Sequence, residues 1–307
     1  MQQLIVIEGP TASGKTALGV ALAKQLHTVV LSADSRQLYK EIAIGTAKPS
    51  KEEMQGVPHY FIDSHSITDT LTAGQFEQQA LHLLATTLAD LQTIILVGGS
   101  GMFIDALCNG LDPIPVDALM QEQLRNELAT SGLEPLLAEL KERDFAFYEQ
   151  VDQHNSVRIL RALEVIRATG KPFSTFRNNN ASVRPFTVKR FVIDHPREQL
   201  YERINKRVDI MIENGLFAEV KAVEHLRESA ALQTVGYKEV FDFWDGKYPT
   251  ETECIDKIKQ HTRNYAKRQL TWFKKHPEAL WIPFTSTEKM SRTICEIIDN
   301  EPITNME

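Results

Sequence analysis

The sequence predicts an α/β fold in which a parallel sheet, wound by helices, is interrupted by a helical insertion. Three observations carry this expectation. Short apolar runs alternate with segments of helical period, the order that builds parallel sheets. A glycine loop, GPTASGKT from Gly9 to Thr16, joins the first apolar run to the first helical segment. From Ala118 to about Thr169 the chain loses its strand signals and reads as successive polar-faced helices.

Taken in order, Leu4 to Glu8 is the first strand, and ALGVALAKQL after Lys15 supplies helix formers with apolar residues at helical spacing. Val29 to Ser32 reads as a second strand and Ile94 to Val97 as a third. Small or polar residues follow each, where a parallel sheet carries its ligand loops. Ala73 to Leu91, between them, has helical character. After Gly110 the segment DPIPVD closes the first block. The polar stretch Arg177 to Ser182, with Asn178, Asn179 and Asn180, marks the return, and Val188 to Ile193 is the next strand. Pro196 suits the first turn of a helix running to Asn214, with Gly215 as its stop, and Ile255 to Lys275 forms a basic helix. The 307 residues therefore divide into a P-loop NTPase-like core, residues 1–112 and 183–307, and a helical insertion, residues 113–182.

Hydrophobic residues at 42% and charged residues at 24% are ordinary globular values, so the chain is expected to fold throughout. No apolar run is long enough to span a membrane, and MQQLIVIEGP enters a strand without a basic leader, so a cytoplasmic location is expected. Cys108, Cys254 and Cys295 are far apart and lack a CxxC pattern, which favours reduced thiols over a disulfide framework or zinc knuckle. A net charge of −7 argues mildly against a polyanionic partner, but the average conceals a local reversal. Lys257, Lys259, Arg263, Lys267, Arg268, Lys274 and Lys275 form one cationic stretch, and Arg184, Lys189, Arg190, Arg197, Arg203, Lys206 and Arg207 another. Such runs are most often solvated helix faces; against an acidic background they point to a phosphate-binding surface.

GPTASGKT satisfies GxxxxGK[ST], in which backbone N–H groups and a helix N-terminus cradle phosphate oxygens, the lysine adds charge and the hydroxyl ligates Mg²⁺. A di- or triphosphate bound through Gly14, Lys15 and Thr16 is expected. The loop alone serves kinases, hydrolases and transferases alike. Asp34, just beyond the second strand in SADSRQLYKEIAIGTAKP, can face the phosphate as a base or magnesium partner, and can equally be a turn residue.

Further motifs stand in order along the chain: SADSRQLY at Ser32, IGTAKP at Ile44, PHYFID at Pro58, LVGGSGMF at Leu96, NSVRILRALEV at Asn155, TVGYKE at Thr234 and TRNYAKRQLTWF at Thr262. With the glycine loop they cover the chain from about Leu4 to about Trp281, and in number and order they resemble the tRNA dimethylallyltransferase (isopentenyltransferase) family. The resemblance implies transfer of a dimethylallyl group from its diphosphate to the N6 amine of adenosine 37 in tRNA, with Mg²⁺ as cofactor. It implies that Gly9, Pro10, Thr11, Ala12, Ser13, Gly14, Lys15 and Thr16 hold the diphosphate, that Thr16 ligates the metal, and that Asp34 takes the proton of the attacking amine. Arg203 and Arg207, four residues apart on one helix face, are candidates for the far side of the diphosphate. Ser100 stands where the family usually has threonine and keeps the hydroxyl beside the base.

The resemblance further implies tRNA contacts from Asp34, Ser35, Arg36, Gln37 and Ser100. It adds Val157, Arg158, Ile159, Leu160 and Arg161 at the anticodon stem, and Val235, Gly236, Tyr237, Lys238 and Glu239. In the basic helix, Arg263, Lys267 and Arg268 are the expected phosphate contacts. His59 and His65 can orient substrate, though each is more simply a surface or core histidine. A monomer is expected. Three alternatives remain at this point: a small-molecule kinase using ATP, a nucleotide-binding RNA-interaction module, and an adenylate isopentenyltransferase, which would not need the insertion.

Overall fold

The computed structural model describes residues 1–69, 71–177 and 182–300. Contacts divide the chain into two units, Met1–Cys108 with Arg184–Glu307, and Asn109–Val183.

The first unit opens with β1 (Gln2–Glu8), α1 (Lys15–Gln25), β2 (Val30–Ala33), α2 (Lys51–Met54), β3 (His59–Tyr60), α3 (Ala73–Ala85), β4 (Thr93–Gly98) and α4 (Gly101–Asn109). The second unit contains α5 (Ala118–Ser131), α6 (Glu134–Arg143), α7 (Phe145–Tyr148) and α8 (Ser156–Thr169). The chain returns through β5 (Phe186–Asp194), α9 (Arg197–Glu213), α10 (Leu216–Ala222), α11 (Tyr237–Trp244), α12 (Glu251–Phe273), β6 (Leu280–Pro283) and α13 (Thr287–Asn300). Among the described residues six strands form one parallel sheet in the order β3-β2-β4-β1-β5-β6.

The apolar runs of β1 and β4 are continuous because both faces of these central strands are covered. Leu4 and Val6 of β1 enter one core with Ile94 and Leu96 of β4, while Ile5 and Ile7 enter the opposite core with Ile95 and Val97. Leu18 and Leu22 of α1, with Met290 and Ile294 of α13, cover the second face. Phe76 of α3, Phe103 of α4, Val208 of α9 and Ile258 of α12 contribute to the first.

Boundaries depart from the sequence expectation in places. Helix α3 ends at Ala85, not Leu91; beyond it Leu88 and Ala89 make turn hydrogen bonds, and the Thr86 hydroxyl donates back to the His82 carbonyl. The basic helix begins earlier, at Glu251, where the Thr250 side chain caps it by accepting from Glu253 N–H. The two-residue β3 and four-residue β6 are edge strands too short to give an alternating signal. Asn178, Asn179 and Asn180 lie outside the described residues.

The second unit has its own core, built from Leu124, Leu136, Leu140, Ile159, Leu163 and Ile166, with Phe147 and Phe173 edge to face at 4.8 Å. Asp117, Asp144 and Asn155 cap α5, α7 and α8.

Candidate active site

The glycine loop leaves the carboxyl end of β1 and enters α1 through Gly14, whose φ of 88° is a conformation only glycine adopts without strain. Ser13 N–H donates to the Pro10 carbonyl at 3.2 Å, and Lys15 Nζ folds back onto the same carbonyl at 3.1 Å. The loop is tied to its surroundings by side chains from distant elements. Thr11 N–H donates to Gln269 Oε1 at 2.9 Å, while Gln269 Nε2 donates to the Gly99 carbonyl at 2.8 Å, so one α12 amide links the loops after β1 and β4. Arg203 Nε donates to the Ala12 carbonyl at 2.8 Å. Glu8, at the end of β1, is fully buried and receives two bonds from Arg190 of β5, at 2.5 and 3.1 Å, whose guanidinium also reaches Asp105 at 2.9 Å. That pairing anchors the strand from which the loop springs.

The loop after β2 forms the facing wall. Asp34 Oδ1 accepts from the N–H groups of Arg36 and Gln37, at 3.0 and 3.4 Å, so the aspartate is a turn residue as well as a cavity residue. Oδ2 has no hydrogen-bond partner among the described residues. Ser100 Oγ accepts from Ser35 N–H at 2.9 Å and donates to Ser35 Oγ at 3.1 Å, joining the loops after β2 and β4. Gln37 Nε2 donates to the Thr46 and Ala47 carbonyls, which brings the IGTAKP segment against the cavity. A Cβ at Gly98 would lie 2.3 Å from the Ala33 carbonyl oxygen, so the close approach of β2 and β4 requires glycine there.

Loop and aspartate line one cavity of about 310 Å³, together with Arg203, Arg207, His59, Glu53, Thr262 and Tyr265. Desolvation pushes the Lys15 ammonium down to about 8, opposed by the nearby Asp34 carboxylate and assisted by Arg207. Desolvation also lowers Arg207, and pushes the Tyr265 phenol up to about 12 with Asp34 adding to the effect. Burial lowers His59, whose Nδ1 lies 2.8 Å from the Val57 carbonyl. A second cavity of about 490 Å³ shares Arg36, Thr234, Val235 and Tyr265 with the first and is further lined by Lys238, His261, Asn264 and Arg268. Tyr265 thus borders both spaces, and Asp34 the first.

The structure brings Thr11 to Thr16, Asp34, Arg36, Gln37, Arg203, Arg207, Val235 and Gly236 to the first cavity; Gly9 and Pro10 are buried behind the loop. Tyr237 and Glu239 point inward. Tyr237 donates to Glu219, which accepts from the N–H groups of Ala43, Ile44 and Gly45, and Glu239 Oε2 accepts from Gly236 N–H. Lys238 is the exposed member of that segment. Arg263 donates to Asn205 at 2.7 Å, whereas Lys267 and Arg268 are exposed and line a shallow groove with Trp272 and Lys275. In the second unit Val157 and Arg158 are exposed, Ile159 is fully buried, Leu160 packs on that core, and Arg161 pairs with Glu164 at 2.6 Å. His65 bonds Ser64 and lies away from the cavity lining. Tyr265, which with Trp272 alternates with the cations of the basic helix and reads from the sequence equally as a core aromatic, lines the cavity; Gln269 and Glu53 are not legible as site residues in the sequence.

Fold and site together are those of a P-loop protein in which the glycine loop and a carboxylate line one cavity. Residues 37–276 match the family described as IPP transferase, and the chain belongs to that family. The matched range begins beyond the glycine loop, so the loop is a separate observation. The chain is 48% identical over 279 residues to the tRNA dimethylallyltransferase of Cytophaga hutchinsonii, covering 91% of each chain. It is 42% identical over 289 residues to tRNA dimethylallyltransferase 2 of Parabacteroides distasonis, covering 94% of this chain and 96% of that one. Among solved structures it resembles the tRNA isopentenylpyrophosphate transferase of Bacillus halodurans, with TM-score 0.72, 34% identity, and coverage of 97% and 96%. At 24% identity a eukaryotic dimethylallyltransferase acting on tRNA shares the fold, with TM-score 0.80 over 100% of this chain and 82% of that one.

Proposed function

We propose that this protein transfers the dimethylallyl group of dimethylallyl diphosphate to the N6 amine of adenosine 37 in tRNA, releasing diphosphate. The carrying observation is the single cavity onto which both the glycine loop and Asp34 open, next to a second space that shares Tyr265 with it and is lined by Arg36, Lys238 and Arg268 as well as Glu239 and Asp242. Lys15, Arg207 and the loop amides hold the diphosphate in the first space. The allylic carbon–oxygen bond breaks as negative charge gathers on the departing diphosphate, which these preorganised groups stabilise. The N6 lone pair forms the new bond to carbon, and Asp34 Oδ2 takes the proton that N6 must lose. Ser100, fixed by Ser35, keeps the wall beside the amine in place.

The site also suits Mg²⁺. No group of three acidic, histidine or cysteine residues that could cage a metal exists among the described residues, but magnesium on a diphosphate needs few protein oxygens. Thr16, which lines the cavity, would supply one through its hydroxyl. When bound, the ion would help neutralise charge on the leaving diphosphate.

On this reading the second unit grips the anticodon arm through Val157 and Arg158 of α8. Extrusion of the adenosine into the second space is required because its amine is otherwise held in the base stack. The direct test is incubation with dimethylallyl diphosphate, Mg²⁺ and unmodified tRNA, followed by digestion and mass spectrometry. N6-isopentenyladenosine is expected; ATP consumption without it would instead favour the kinase reading.

A further inference from the structure

The glycine loop is braced from outside by two rings that play no part in the mechanism above. His195 follows β5 and is 8% exposed. Its Nε2 lies 2.8 Å from the Ser13 carbonyl; a carbonyl only accepts, so Nε2 carries the hydrogen and donates. The imidazole stacks on Phe284, with centroids 3.9 Å apart and planes at 23°. Phe284 is fixed by its N–H, which donates to the Asp194 carbonyl at 2.7 Å, and the Arg203 guanidinium lies over its ring at 5.1 Å.

The loop has reason to need this support. Ala12 has a φ of 63°, which a residue with a Cβ adopts only when its surroundings impose it. In a trans peptide the C=O and N–H point in opposite directions. A grip on the Ser13 carbonyl therefore turns the Gly14 N–H the other way, and that N–H has no hydrogen-bond partner among the described residues. None of the motifs that carry the family resemblance contains His195 or Phe284.

We propose that His195 is a positioning residue for diphosphate binding: through the Ser13 carbonyl it aims the Gly14 N–H into the phosphate cradle. The inference rests on the reading of this loop as the diphosphate site. It is tested without the transfer reaction by titrating the native protein and its variants with inorganic diphosphate and Mg²⁺ in a calorimeter.

His195→Met fills the space without a donor and should weaken diphosphate binding about tenfold, the weight of one hydrogen bond. His195→Gln, whose amide reaches the position of Nε2, should stay within about threefold of the native protein. tRNA affinity should not change in either. If His195→Met does not fold, His195→Asn, whose amide is one bond too short, takes its place. Equal diphosphate affinity in the Gln and the Met or Asn variants, or a parallel loss of tRNA affinity, overturns the proposal. A native protein that binds diphosphate but prenylates no tRNA would count against the proposed function and leave this inference standing.

Discussion

The two faces of the C-terminal part of α12 meet positive charge in opposite ways. Near the glycine loop the cations are drawn out of water: Lys15 and Arg207 face a cavity where desolvation depresses both, and the loop beside them is held by Gln269, Arg203 and the buried Arg190–Glu8 pair. On the outer face Lys267, Arg268 and Lys275 stand in solvent, steadied by Tyr265 and Trp272, whose rings lie 5.7 Å from the Arg268 guanidinium and 4.5 Å from the Lys275 ammonium. The lesson is one of ligand size. A compact anion can repay the desolvation of a few fixed groups, whereas a long polyanion is met by many exposed charges that never leave water.

The comparison can be broken at several points. Lys15→Ala should lower kcat/KM for dimethylallyl diphosphate by about 10²-fold or more, since it removes charge at the leaving group, and should leave tRNA affinity in place. Equal effects on both substrates in steady-state kinetics would erase the distinction between the two faces. The depressed Lys15 also has a pH signature. Because the ammonium is the binding form, kcat/KM for the diphosphate should fall as pH rises through about 8, approaching tenfold per unit. Lys15→Arg, which keeps its charge, should lack that limb; a pH profile identical in both proteins would assign the limb to another group.

Smaller effects sharpen the picture. Gln269→Leu strands the half-buried Thr11 N–H and the buried Gly99 carbonyl and should cost about 1–3 kcal/mol of stability in denaturant unfolding. Neutralising Lys267 and Arg268 together should weaken tRNA binding and reduce the slope of log affinity against log salt by about 1–2, with no change for the diphosphate. An unchanged slope would remove the outer face of α12 from the interface.

Much of this arrangement is legible in the sequence because its parts are local. GPTASGKT carries its own turn, helix start and charge, and β1 and β4 are continuous apolar runs because both faces are buried. The ties between elements are not legible. Nothing around Gln269 says that its amide bridges Thr11 and Gly99, 258 and 170 residues away. The inward turn of Tyr237 and Glu239 is equally silent, since a motif marks a segment without telling which side chains support the backbone and which meet a ligand. The short strands β3 and β6 escape for a simpler reason: two or four edge residues cannot display a period.

In the proposed reaction carbon, not phosphorus, is attacked. Quantifying phosphorus products during tRNA modification, with and without added inorganic diphosphatase, tests this most directly. One diphosphate per isopentenyladenosine, and no orthophosphate until the diphosphatase is added, is the predicted result. Orthophosphate release without the diphosphatase, or a phosphorylated acceptor with the allyl group left intact, would contradict it.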